Sequence, residues 1–176
     1  MPFAVTHILV PIILVDIYRD HILKERGIVT NRHVLIAGLA GLFPDIDLPI
    51  SYIFLNGINI HRLFSHNIWF PLLFLSMGFF FYSIDKKKTS IYFLMVAFGF
   101  TTHLFLDSFL AGYIQPLYPL STYAFGLNFI EWSLYRFFPS VANDNFVLLI
   151  FSSIDALLLF FWLIYLQMTE KIKDYF

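Results

Sequence analysis

The chain has 176 residues, 59% of them hydrophobic and 13% charged, with 23 Phe, no Cys and a formal charge of −1 at pH 7. Soluble domains average roughly 45–50% apolar residues, so this composition is that of a membrane protein. A net charge near zero leaves no basic surface for nucleic-acid phosphates, and the absence of Cys excludes disulfides and thiolate metal sites while leaving the redox compartment open.

The length suits a single integral-membrane domain over residues 1–176, and the hydropathy pattern predicts an all-α, polytopic membrane helical bundle of about five transmembrane helices. The first is predicted at 3–17. "MPFAVTHILVPIILVDIY" lacks the basic start and cleavage site of a signal peptide and is expected to be retained. It carries His7 about one turn from its start and Asp16 near its far end, where an interfacial position is expected. A basic stretch follows with Arg19, Lys24, Arg26 and Arg32, in or beside which His21 and His33 read as solvated or interfacial.

The second helix, "HVLIAGLAGLF" (33–43), is short and expected to close at Pro44. Its Ala37 and Gly41 form a small-xxx-small pair that allows close helix approach. Next comes "PDIDLP" (44–49). The flanking prolines favour an extended backbone, which would point Asp45 and Asp47 to one side; a solvated turn is the alternative. "HRLFSH" (61–66) then supplies His61, Arg62 and His66. Arg62 suits either an anion such as phosphate or an ion pair with an aspartate. Ser65 reads as a helix cap or a ligand contact.

The third helix is predicted at 67–84 and is followed by Lys86, Lys87 and Lys88; the fourth is predicted at 90–109. Its "HLFLD" gives His103 and Asp107 the i, i+4 spacing that places both on one face, as metal ligands or as a histidine with its hydrogen-bond partner. Residues 110–145, with Glu131 and Arg136, are rich in Tyr, Trp and Phe and read as an interfacial belt or a lid. The fifth helix, 146–168, carries Asp155, expected to bond a neighbouring hydroxyl, and Lys171 and Lys173 follow it.

Nine of the eleven basic residues thus fall on one side of a five-helix serpentine. Because Lys and Arg are retained on the cytoplasmic side, this places the N-terminus outside and the C-terminus inside. The same threading brings His7, Asp45, Asp47, His61, His66, His103 and Asp107 to the outer face. A mixed imidazole and carboxylate set without sulfur suits a divalent metal: zinc first, with manganese or iron admitted.

The ordered set "TH" (Thr6, His7), "GLFPDID" (41–47), "HRLFSH" and "HLFLD" resembles the YdjM-like family of membrane-bound metal-dependent hydrolases over roughly residues 1–125. The order His7, Asp47, His61, His103, Asp107 is also distantly similar to that of zinc-dependent phospholipase C, without its later histidine and HxxxE ligands. The resemblance implies one or two metal ions. It places Asp47, His61, His103 and Asp107 around the metal, with His7, Asp45 and His66 as ligands of a second ion or their supports. Together with the charge bias this points to hydrolysis at the outer face of the cell membrane, with Asp45, Arg62 and His66 expected as catalytic groups; the location at helix ends close to the headgroup layer makes a membrane lipid or polyprenyl phosphate the expected substrate. The rival readings are a non-catalytic metal-binding transporter or sensor, and an inert polar plug.

Overall fold

A computed structural model describes residues 4–24, 27–56, 58, 61–62, 64–110 and 112–175. Phe3 and Arg26, which belong to the predicted first helix and its basic loop, lie outside the described residues. The chain is all-helical: α1 (Ala4–Ile17) with a π-helical extension to Leu23, α2 (Asn31–Leu42), α3 (Asp47–Phe54), α4 (Trp69–Ser83), α5 (Lys87–Leu110), α6 (Phe129–Phe137), α7 (Asp144–Met168) and α8 (Ile172–Tyr175). Among the described residues the only extended pairing is an isolated antiparallel bridge between Ile114 and Phe125.

Three continuous helical stretches, Asn31–Phe54, Lys87–Leu110 and Asp144–Met168, are long and apolar enough to cross a membrane, and Trp69–Ser83 is a shorter apolar helix. The first of these corrects the expectation that helix two ends at Pro44. Pro44 occupies the opening of a 3₁₀ turn over Phe43–Ile46, where its missing N–H breaks the α ladder without redirecting the chain. The helix then resumes at Asp47. Asp45 and Asp47 therefore lie on helical turns and not on an extended segment.

In lipid, helix association depends on close packing, because hydrocarbon tails are as apolar as Leu. α5 lies against α2 where Gly99 meets the Ala37 carbonyl and the Gly41 amide, and α1 lies against α2 where Gly41 meets the His7 carbonyl and Pro11. A Cβ at either glycine would strike backbone. Leu9, Ile12, Val15, Val34, Ala37, Trp162 and Leu166 form the buried apolar centre. α4 joins α5 through stacked rings, Phe70 on Phe100 at 5.7 Å and Phe81 on Phe93 at 5.1 Å.

The two ends of this bundle are polar in different ways. At the basic end Asp16, expected to be interfacial, is buried. It accepts from Arg19, from Tyr175 Oη at 2.7 Å and from Lys171 Nζ at 2.9 Å. Burial pushes the Lys171 ammonium down, but hydrogen bonds to Asp20, Tyr165 and Asp16 prevail and hold its pKa above the ordinary value. His21 is exposed as expected, whereas His33 is buried because its ring turns back to cap α2 at Thr30.

Gly99→Ala is expected to lower stability by about 1–3 kcal/mol through overpacking against backbone that has no room to shift. Gly27→Ala, with open space around the added methyl, should stay within about 0.5 kcal/mol of the parent. Thermal unfolding in detergent compares the two.

Candidate metal centre

Four elements meet at the opposite end: the start of α1, the 3₁₀ turn after α2, the loop at residues 61–68 and the last turns of α5. The loop and α5 each deliver a histidine whose ring is fixed from behind. His103 Nδ1 lies 2.7 Å from the Gly41 carbonyl. A carbonyl only accepts, so Nδ1 carries the proton and Nε2 presents a lone pair. Ser65 Oγ donates to Asp47 Oδ2 at 2.6 Å and lies 2.9 Å from His66 Nδ1. With its proton committed to Asp47, the hydroxyl accepts from His66, which sets the same tautomer there.

Two imidazole lone pairs are thereby aimed at each other, His66 Nε2 and His103 Nε2 being 3.0 Å apart. Lone pairs at this distance repel unless a positive centre, a shared proton or a metal ion, lies between them. Asp45 Oδ1 stands 3.5 Å from His66 Nε2 and 3.6 Å from His103 Nε2, and Asp107 Oδ2 stands 3.5 Å and 3.8 Å from the same two atoms. With metal–ligand bonds near 2.0–2.1 Å, a tetrahedral zinc site has ligand–ligand edges of about 3.3 Å. The five distances bracket that edge from slightly below to somewhat above.

Charge tells the same way. Asp45, Asp47 and Asp107 contribute three negative charges and Arg62 one positive, so the cluster with neutral histidines carries −2, the complement of a divalent cation. Neither ring nitrogen of His7, neither oxygen of Asp107 and not Oδ1 of Asp45 makes a hydrogen bond among the described residues. Burial pushes the His66 imidazolium down, but the carboxylates of Asp45, Asp47 and Asp107 prevail and raise its pKa, so that without a metal a proton on His66 Nε2 supplies the positive charge. The pocket favours positive charge where the lone pairs converge.

All seven histidines and aspartates singled out in the sequence lie at this end, but in a different grouping from the one expected. Two sets have ligand atoms within 4.8 Å of one another: His7, His103 and Asp107, and Asp45, His61 and His66. Asp47 is engaged elsewhere. Its Oδ1 takes His61 Nδ1 at 2.8 Å, and its Oδ2 takes the Arg62 backbone N–H at 3.1 Å in addition to Ser65. With both oxygens held by protein donors, Asp47 positions His61 and His66, the task a supporting carboxylate performs behind metal-binding histidines. His7 stacks on His103 with ring centroids 3.9 Å apart, and its Nε2 is 3.4 Å from Asp107 Oδ1.

Arg62 reaches Asp107 Oδ2 with Nη2 at 3.0 Å, the ion-pair reading of this residue. Its guanidinium fills the space a Cβ at Gly112 would take, and Gly112 itself has φ +123°, a conformation that L residues avoid. The 112–128 segment folds over this end. Ile68 N donates to the Pro116 carbonyl at 3.0 Å and Trp69 Nε1 to the Tyr118 carbonyl at 2.9 Å. Ser65 is thus a positioning hydroxyl and not a cap of α4, whose N-cap is Ile68.

Two contributors escaped the sequence reading, the Gly41 carbonyl and Gly112, whereas Asp155 of α7 bonds a neighbouring hydroxyl as expected. Asp155 Oδ1 takes both the Thr6 N–H, at 3.1 Å, and the Thr6 hydroxyl, and so anchors the residue next to His7. Asp155→Ala would leave two buried donors without a partner and is expected to cost about 1–3 kcal/mol each. Asp155→Asn, which keeps one acceptor oxygen, should recover part of the loss in thermal unfolding.

A family model described as YdjM inner membrane protein matches residues 1–172, reaching through α7 and well beyond the motif-bearing region. No curated protein and no solved structure matches the chain, so the likeness to phospholipase C rests on motif order alone.

Proposed function

The chain belongs to the YdjM inner membrane protein family, and on that premise we propose that it is a multi-pass, metal-dependent hydrolase cleaving a phosphoester of a lipid or polyprenyl substrate. The observation that carries this reading is the convergence of Asp45 Oδ1 and Asp107 Oδ2, each within 3.8 Å of both His66 Nε2 and His103 Nε2, on a histidine pair 3.0 Å apart. The donor set favours zinc, then manganese or iron. His7 Nε2 and Asp107 Oδ1, both without hydrogen bonds, offer ligands to a second ion beside the first.

Bound there, the ion would supply Lewis acidity and bring the pKa of a water toward about 7. The protein supplies the rest. Asp45, 17% exposed where the histidines and Asp107 are sealed, stands at the open side and is placed to hold the proton released by an attacking water. Arg62, at the rim beside Asp107, faces the negative charge that develops on a phosphoryl oxygen. Asp47, Ser65 and the Gly41 carbonyl keep the histidine lone pairs inward, so no reorganisation is needed when substrate arrives.

An amphiphile fits the surroundings. Asp45 shares a cavity of about 460 Å³ with Leu39, Leu42, Phe43, Ile46 and Pro49, which would take a hydrocarbon tail from the bilayer and leave the headgroup at the carboxylate. The Lys and Arg bias supports an extracytoplasmic site. Transport is less well supported, because Leu9, Ile12, Val15, Val34 and Ala37 fill the interior between the two polar ends and give an ion no polar path.

Purified without chelator, the protein is expected to carry stoichiometric divalent metal, and His103→Ala and Asp107→Ala to lose it. Asp47→Asn should weaken metal affinity roughly 10–100-fold while leaving the site able to refill at high metal. Arg62→Ala should keep the metal and lose roughly 10²-fold or more in turnover of a lipid phosphate. A metal-free parent would remove the hydrolase reading, and metal without turnover of any lipid phosphate would move it to a binding protein.

A further inference from the structure

The cavity beside Asp45 continues below the headgroup level. Two of its walls, Leu39 and Phe43, also line a second cavity of about 290 Å³ between α2, α4 and α5, bounded by Ile36, Phe74, Val96 and Phe100. Each of these six side chains is apolar. Ile36 lies nine residues from Asp45 along the helical run, and Val96 eleven from Asp107 along α5. At a rise of 1.5 Å per residue both intervals come to about 15 Å, half of the roughly 30 Å hydrocarbon core. The two cavities thus mark a groove about one leaflet deep, with the Asp45 carboxylate at its outer end.

The inner end decides what the groove accepts. His33 precedes Ile36 by three residues and Tyr92 precedes Val96 by four, the spacings that carry each helix stripe one turn further. Their rings meet with centroids 4.4 Å apart and join α2 to α5 at this level. The Thr30 N–H, donating to His33 Nδ1 at 2.9 Å, fixes the imidazole from below. Beyond the pair stand the exposed Arg32 and Lys88, at the basic end of the bundle. A hydrocarbon chain that fills the groove therefore meets an imidazole and a phenol at its tip, with charge behind them.

The flank is open to lipid. Leu39 is 65% exposed and Phe43 51%, so a tail enters sideways without crossing water. Moving a tail from lipid into such a groove gains nothing from the hydrophobic effect, which leaves fit and length to select the occupant.

We propose that this groove is the acyl-chain subsite of the hydrolytic site, and that the contact between His33 and Tyr92 closes it, so that a phospholipid chain about one leaflet long is taken in preference to a longer polyprenyl chain. The inference deepens the hydrolase reading and rests on it for the placement of the headgroup at Asp45.

Photo-crosslinking tests the groove without relying on turnover. The purified chain in phosphatidylcholine nanodiscs is irradiated with a phosphonate analogue of phosphatidic acid, whose P–C bond resists hydrolysis, carrying a diazirine near the end of its palmitoyl chain. Mass spectrometry should place the label at Ile36, Phe74, Val96 and Phe100, about tenfold or more above Leu157 and Phe160 on the outward side of α7. Val96→Phe, which fills the inner half of the groove, should cut labelling of Ile36 and Phe100 about tenfold. Tyr92→Ala, at a half-buried position, should let the label reach His33, a gain that a folding defect does not produce. Undecaprenyl phosphate should compete about tenfold less well than dipalmitoyl phosphatidic acid in the parent, with the gap narrowed in Tyr92→Ala. Turnover of phosphatidic acid with label spread evenly over the lipid-facing surface would overturn the groove and leave the hydrolase reading standing. Labelled groove residues without turnover would uphold the groove and remove that reading. Equal competition by the two lipids in the parent, or variants labelled like the parent, would overturn the length selection.

Discussion

Two imidazole lone pairs held face to face at 3.0 Å are the arrangement around which the site end is organised. Left to themselves the rings would turn away. The Gly41 carbonyl and the Ser65 hydroxyl prevent this by accepting the two Nδ1 protons, with Asp47 in turn accepting from Ser65, and each of those restraints is itself fixed by a helix end or a tight loop. Burying three carboxylates with one guanidinium in an apolar bundle is unfavourable unless a positive partner is held among them. The energetic tension and the geometry have the same resolution.

Close packing makes the arrangement reachable. His7 stacks on His103 only because α1 and α5 both approach α2 at glycines, one of which, Gly41, also supplies the carbonyl that orients His103. Helix packing and ligand orientation are thus concentrated in a few backbone atoms. α7 adds a further fastening through Asp155 and Thr6, and most of its remaining surface is left to lipid: Leu148, Leu149, Leu157, Phe160 and Phe161 all face outward.

Much of this was legible in the sequence. Composition and hydropathy led to a membrane helical bundle, and charge bias, which takes no account of histidines, brought His7, Asp45, Asp47, His61, His66, His103 and Asp107 to one end. What could not be read was how the chain behaves at Pro44. Proline suggested a stop, but a proline near the start of a 3₁₀ turn lets the helix continue, and that changes which neighbours Asp45 and Asp47 meet. Motif order places Asp47 among the ligands, and motif order cannot show that both of its oxygens meet imidazole, amide and hydroxyl donors from a loop fourteen to eighteen residues away. The burial of Asp16 and His33 was hidden for a related reason. Both sit in a stretch whose basic residues suggest solvent, and only tertiary partners such as Lys171 and Thr30 draw them inward.

The helical run from Asn31 to Phe54, with its 3₁₀ turn at Phe43–Ile46, has a mechanical consequence. Side chains on a helix project about 5 Å from its axis, so a rotation of about 20° displaces a carboxylate by roughly 2 Å. Such a turn would change neither the depth of the helix in the bilayer nor its length, yet it would carry Asp45 away from the histidine pair. The glycine contacts on either side of α2 therefore act as a torsional clamp, and the angular setting of one rod determines whether Asp45 stays beside His66, His103 and Asp107.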